Sequence, residues 1–127
     1  MLRSPEASRL PSKHTVRREM LRIRSDAEIT EDDPRIIELY ALRDEVQSLL
    51  HLPEQRRSVN VYLFRDEVRY TRYMESRYPN LPARRAFFIG TPGELAVYAY
   101  WGAQVREDLR HEYTHGLLHG SLTHVPI

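Results

Sequence analysis

The stretch LRHEYTHGLLHGSLTHVPI (Leu109–Ile127) holds four of the six histidines of the chain. Three of its residues, His111, Glu112 and His115, form the pattern H-E-x-x-H. Residues four apart on a helix stand one turn apart on one face, so two imidazole nitrogens at this spacing can converge on one zinc ion. Glu112 then stands beside the metal. There it can take a proton from a zinc-bound water that attacks a carbonyl, and pass it to a leaving amine. The segment supports a helix: from Gly102 apolar residues recur with helical period, and Val105, Leu109, Tyr113 and Leu117 fall every four residues on the face opposite His111 and His115. One side is expected to be core and the other to face a cleft. Gly120 is the expected C-terminal stop. Tyr113 and Thr114 read as packing and helix-surface residues.

A catalytic zinc takes three protein ligands and keeps one open position. His111 and His115 supply two, and the sequence leaves the third open. His119 lies one further turn along the same helix, and three ligands from one straight helix have difficulty surrounding an ion tetrahedrally. His124 lies beyond Gly120 and has to fold back. Asp108, one turn before His111, reads as orienting its ring or facing solvent. The extended metzincin pattern is not met, because Leu118 and Ser121 stand where that pattern needs Gly and His. The plainer alternative is a pair of surface histidines beside a solvated acid.

The rest of the chain bounds what surrounds this helix. With 127 residues, 41% of them hydrophobic, there is one core and little room for a second. Nineteen Lys and Arg against eighteen Asp and Glu give a formal charge of +1, which points away from nucleic acid as a partner. The local spots at Arg17, Arg18, Arg22, Arg24, Arg84 and Arg85 are interleaved with acids and read as solvated faces. Cysteine is absent, so any metal must use His, Asp or Glu. No apolar run approaches the roughly 20 residues that span a bilayer. The start lacks the apolar centre of a signal peptide, so the chain reads as soluble, although a full-length parent could be exported.

Residues 1–15 are polar and aperiodic and read as a flexible lead-in, leaving 16–127 as the domain. EMLRIRS (Glu19–Ser25) alternates like a half-buried strand with Leu21 and Ile23 inward. Asp33 as cap and Pro34 at the first position start a helix expected to run to about Leu50, with Ile36, Leu39, Tyr40, Val46 and Leu50 in a wide stripe flanked by Ile37, Leu42 and Leu49. SVNVYLF (Ser58–Phe64) is the strongest strand, and Asp66 caps a shorter helix that ends before Pro79. RRAFFIG and ELAVYAYW flank Thr91-Pro92-Gly93, read as a type II turn closing a hairpin, with Gly93 at positive φ. The fold class expected is α+β: a mixed sheet with a β-hairpin edge, covered by helices.

VNVYLFRDEVRYTRYMESRYP, RRAFFIG, ELAVYAYW and LRHEYTHGLLH together resemble the peptidase MA-like gluzincins, particularly a poorly characterised bacterial branch of zincin-like domains. The match covers most of residues 19–127 in order. Its most specific part is the helix carrying His111, Glu112 and His115. The resemblance implies a thermolysin-like zincin fold, His111 and His115 as Zn2+ ligands, Glu112 as general base, and a peptide or protein substrate. It also implies that ELAVYAYW is the edge strand which a bound peptide extends. In such families the third ligand is a Glu on the following helix. The chain ends within a few residues of that position, so the expectation is a domain truncated before the glutamate helix, with an oligomer formed through the surface that this helix would leave.

Two classes of function follow. The first is zinc-dependent peptide-bond hydrolysis with Glu112 as base, with the activity of the shortened chain left open. The second is a non-catalytic zincin-like module that binds a peptide or protein. A small α+β domain whose histidines take up adventitious metal is a third, plainer reading.

Overall fold

A computed structural model describes residues 8–122. Along the chain run β1 (His14–Arg18), β2 (Leu21–Ser25), α1 (Pro34–Leu50), β3 (Val59–Phe64), α2 (Glu67–Arg77), β4 (Phe87–Gly90), β5 (Leu95–Tyr100) and α3 (Val105–Leu122). The strands form one five-stranded mixed sheet in the order β1-β2-β3-β5-β4. β2, β3 and β5 are parallel, and antiparallel β1 and β4 close the two edges. The architecture is therefore α+β with a mixed sheet covered by helices on both faces.

Strand alternation assigns each face its cover. Val59, Val61 and Leu63 of β3 join Leu95, Val97 and Ala99 of β5 in a core shared with Ile36, Leu39 and Leu42 of α1 and Val105, Leu109, Tyr113 and Leu117 of α3. Tyr62, Phe64, Ala96 and Tyr98 point the other way and pack with Tyr70, Tyr73 and Met74 of α2. The parallel connections follow, since β2 to β3 crosses by α1 and β3 passes through α2 before the β4–β5 hairpin.

The helix starts behave as their caps dictate. Asp33 accepts from the Arg35 backbone N–H at 2.9 Å, and its two oxygens also take Nε and Nη2 of the Arg35 side chain at 2.9 and 2.8 Å. That guanidinium holds the Asp33 carboxyl below its ordinary range. Asp66 caps α2 by accepting from the Arg69 N–H at 2.8 Å. The C-terminus of α1 closes at His51, whose φ of 50° and ψ of 41° turn the chain left-handed while its N–H returns to Gln47 and Ser48 carbonyls.

Several details differ from the sequence reading. The wide stripe expected on α1 is narrower, because Ile37, Leu49 and Leu50 are exposed while Ile36, Leu39 and Leu42 carry the burial. β5 is not an edge, as it lies between β3 and β4; the edge strands are β1 and, beside β5, β4. Alternation reports which face is buried but not which neighbour a strand has. Gly93 is not at positive φ, so the turn is not type II; the Glu94 N–H donates to the Thr91 carbonyl across Pro92-Gly93 at 3.3 Å. β1 lies partly in the segment read as lead-in, Pro11 is fully buried, and Leu10 packs against the second core. The polar sequence HTVRR hides this strand, because only Val16 faces inward. Arg69, nearly buried, holds the incoming chain by donating to the Arg9 carbonyl at 2.8 Å and by pairing with Asp26 at 3.2 Å. Residues 1–7 lie outside the described part of the chain.

Gly120 does not stop α3, which continues to Leu122. Both Gly116 and Gly120 serve close approach. A Cβ on Gly116 would lie 3.0 and 3.1 Å from the two γ-carbons of Val59, and one on Gly120 would lie 3.0 Å from the Arg57 carbonyl oxygen. α3 thus comes close to the start of β3 while packing most extensively on β5. Burial of Leu109 and Leu117 there stabilises by roughly 1.5–3 kcal/mol each.

Two stability measurements check this packing. Gly116→Ala is expected to lower stability in urea unfolding by about 1 kcal/mol, since overpacking against a β-branched neighbour outweighs the gain in helix propensity. Gly93→Ala should be neutral or slightly stabilising, its nearest neighbour being Thr91 Oγ1 at 3.9 Å. Equal effects of the two substitutions would contradict the close-approach account. Asp33→Ala is expected to cost about 1 kcal/mol at neutral pH. Because its folded-state pKa is lowered from 3.8, the stabilisation is complete above 3.8 and lost as pH falls through the folded value. Wild type and variant should therefore converge in acid.

Candidate metal centre

The buried side of α3 determines what its other side presents. Val105, Leu109, Tyr113 and Leu117 lie at 5% exposure or less, and the helical period turns His111 and His115 outward, both exposed. Glu112 sits at the boundary and is buried, with 7% exposure. One ligand atom from each of His111, Glu112 and His115 lies within 4.8 Å of the others. Glu112 Oε2 is 3.9 Å from His111 Nε2, and the two imidazole rings stand nearly edge-on with centroids 5.1 Å apart.

These three donors form a group that could hold a metal ion. Imidazole nitrogen, a borderline ligand, and carboxylate oxygen, a hard one, are both donors that zinc accepts. Donors on a tetrahedral ion with bonds of about 2 Å stand about 3.3 Å apart, so closure asks for small rotations of two exposed rings. His119 stands one turn further on, exposed, its ring tilted against Phe88 at 4.9 Å between centroids. The cluster of converging donor atoms contains His111, Glu112 and His115, and His119 is not in it. His124 lies outside the described residues.

Neighbouring elements shape the site. Phe88 of β4 runs parallel to the His115 ring at 6.4 Å between centroids, so the histidine face of α3 borders the free edge of the sheet. Asp108 does not orient a histidine or stay free in solvent; it accepts from Arg85 Nη2 at 3.0 Å and ties the start of α3 to the segment leading into β4. On the opposite side Glu38 of α1 accepts from Arg106 Nε at 2.7 Å and Arg110 Nη1 at 2.8 Å, residues one turn apart on α3. Trp101 Nε1 donates to Ser25 Oγ at 2.9 Å and fixes the loop that precedes the helix. Tyr113 is completely buried, and Thr114 turns its hydroxyl back to the Arg110 carbonyl at 2.7 Å, in keeping with packing and surface roles. Tyr98 and Tyr100 lie on the α2 side of the sheet, across from the motif, Tyr98 buried and Tyr100 half-buried.

Neither Arg85 nor Phe88 stands out as part of this site in the sequence. Arg85 is one of nineteen cations, and Phe88 reads as a strand residue until β4 is known to be the edge. No significant match to the chain was found among protein-family models, curated proteins or solved structures.

Zinc binding is expected to raise the thermal unfolding temperature of the chain, with about one zinc per chain by elemental analysis after gel filtration. His115→Ala and His111→Ala should each abolish the shift, while His51→Ala should leave it intact. Uptake unchanged in both site variants would place the metal elsewhere.

Proposed function

We propose that the chain is a zincin-like domain acting as a zinc-dependent metallopeptidase, with His111 and His115 as metal ligands and Glu112 as general base. The observation that carries this reading is the convergence, within 4.8 Å, of outward-facing His111 and His115 with buried Glu112 at the border of the core face of one helix. A bound zinc lowers the pKa of its water to about 7 and polarises a carbonyl.

The chain's own residues supply the remainder. Glu112 holds a carboxylate beside His111, where it accepts the proton of the attacking water and returns it to the departing amine nitrogen. The Gly116 contact and the Glu38 pairs hold α3 in place, so that the carboxylate and the two imidazoles keep their relative positions. The edge of β4, bordered by Phe88 and His115, offers free backbone groups to an extended peptide, a mode that reads main chain more than side chain. The substrate class is accordingly a peptide or an unfolded protein segment.

A specific observation favours a second reading, a zincin-like module that binds peptide without cleaving it. Among the described residues the converging donors are two histidines and Glu112, so a site that keeps Glu112 as base has two ligands rather than three. Cleavage of an internally quenched peptide library in the presence of zinc separates the readings. Glu112→Gln should lower turnover by about 10²–10⁴-fold with zinc uptake retained. Full-rate hydrolysis in that variant would sink the mechanism, and zinc uptake without any hydrolysis by the wild-type chain would leave the binding module.

A further inference from the structure

On the face of the sheet away from the histidines lies a cavity of about 410 Å³, between α2, the connection over residues 78–85, and the ends of β4 and β5. Its volume is within the range of small-molecule sites, about 300–1,000 Å³. Tyr70, Tyr78, Phe87 and Tyr100 contribute aromatic surface, and Glu67 and Glu75 stand on the α2 wall.

The charges are unevenly satisfied. Arg85 reaches out of the cavity to Asp108 at 3.0 Å. Arg84 lays its guanidinium 5.1 Å from the centre of the Phe87 ring. The two carboxylates have no cation of their own among the described residues: Glu67 receives only the Tyr100 hydroxyl at 3.4 Å, and Glu75 is exposed. An aromatic lining bears negative potential on its ring faces, and two of these rings already accept a guanidinium, Phe87 that of Arg84 and Tyr78 that of Arg77 at 5.0 Å. Anionic ligands would meet Glu67 and Glu75, and a wholly apolar ligand would leave both carboxylates partly desolvated and unpaired.

We propose that this cavity binds a small organic cation, an alkylammonium or guanidinium group on an apolar stem. The ring faces of Tyr78, Phe87 and Tyr100 receive the stem and charge, and Glu67 and Glu75 supply the countercharge. The cation is either a free amine or the side chain of a peptide, and both present the same chemistry to the cavity. The site is independent of the metal centre, since its walls come from α2, the connection and the strand ends.

Isothermal titration of the full chain in buffer containing a chelator keeps the histidine cluster out of the measurement. The probes are agmatine and benzyltrimethylammonium, with benzoate as the anionic counterpart. Both cations should saturate one site per chain, and benzoate should show no saturable binding. Glu75→Gln, at an exposed helix position, should weaken both cations by about fivefold. Arg84→Gln removes the competing guanidinium from Phe87 but keeps the carbonyl that accepts from Tyr70, and it should tighten them by about threefold. The proposal is overturned by absence of saturable cation binding, by benzoate binding as tightly as the cations, by unchanged affinity in Glu75→Gln, or by weaker binding in Arg84→Gln. The peptide acetyl-Ala-Arg-Ala-amide tells the sources apart: affinity at least tenfold above agmatine assigns a peptide side chain, and equal or lower affinity assigns a free amine.

Discussion

The seating of α3 on the sheet, with Gly116 against the two γ-carbons of Val59, is the contact on which the rest of this molecule depends. Without a Cβ at that position the helix axis can approach the sheet closely enough for Tyr113 and Leu117 to be fully enclosed. That enclosure fixes the rotation of α3 about its axis. His111 and His115 are outward because the residues opposite them on the helix have no other place to go. A helix that stood further from the sheet would be freer to roll, and three donor atoms would lose their common position.

Polar contacts at the N-terminal end of α3 then fix its direction. Glu38 takes two arginines one turn apart, Asp108 takes Arg85, and Trp101 reaches Ser25 across the C-terminal ends of the parallel strands. Each is modest by itself, since partly exposed ion pairs contribute about 0–1 kcal/mol. Their common effect is geometric: they tie α3 to α1, to β2 and to the segment entering β4. The histidine face therefore meets Phe88 at the free sheet edge, where a metal centre and an extended peptide could be neighbours. The opposite face of the sheet is a separate environment. There aromatic residues stack, as Tyr62 and Tyr98 do at 5.5 Å, and a cavity opens beside them. One chain thus presents two chemically distinct surfaces separated by a single sheet.

Much of this was legible in the residues. Asp33 followed by Pro34, and Asp66 before its apolar stripe, mark helix starts because a cap acts on atoms two or three residues away. The alternation of Val59, Val61 and Leu63 marked the strand at the centre of the sheet, and the four-residue recurrence through α3 set His111 and His115 opposite its core face. The signals that failed were those whose meaning depends on distant partners. Gly120 has the composition of a helix stop, yet it is a contact point for the Arg57 carbonyl. Leu49 and Leu50 fit an apolar stripe, yet nothing described in the chain covers them. Val16 alone could not announce β1, which exists because β2 offers it an antiparallel neighbour.

The sequence by itself determined the local quantities: where helices begin, which way alternate side chains point, and that two histidines and a glutamate share one helix turn. These follow from backbone geometry over a few residues. Strand order was decided only by the tertiary structure, which made β4 rather than β5 the edge, turned Asp108 toward Arg85, and set Phe88 beside His115 and His119. The cavity beyond the sheet belongs to the same class of facts. Its walls come from residues 67–100 scattered over two strands, a helix and a connection, and their meeting depends on long-range packing that no local periodicity encodes.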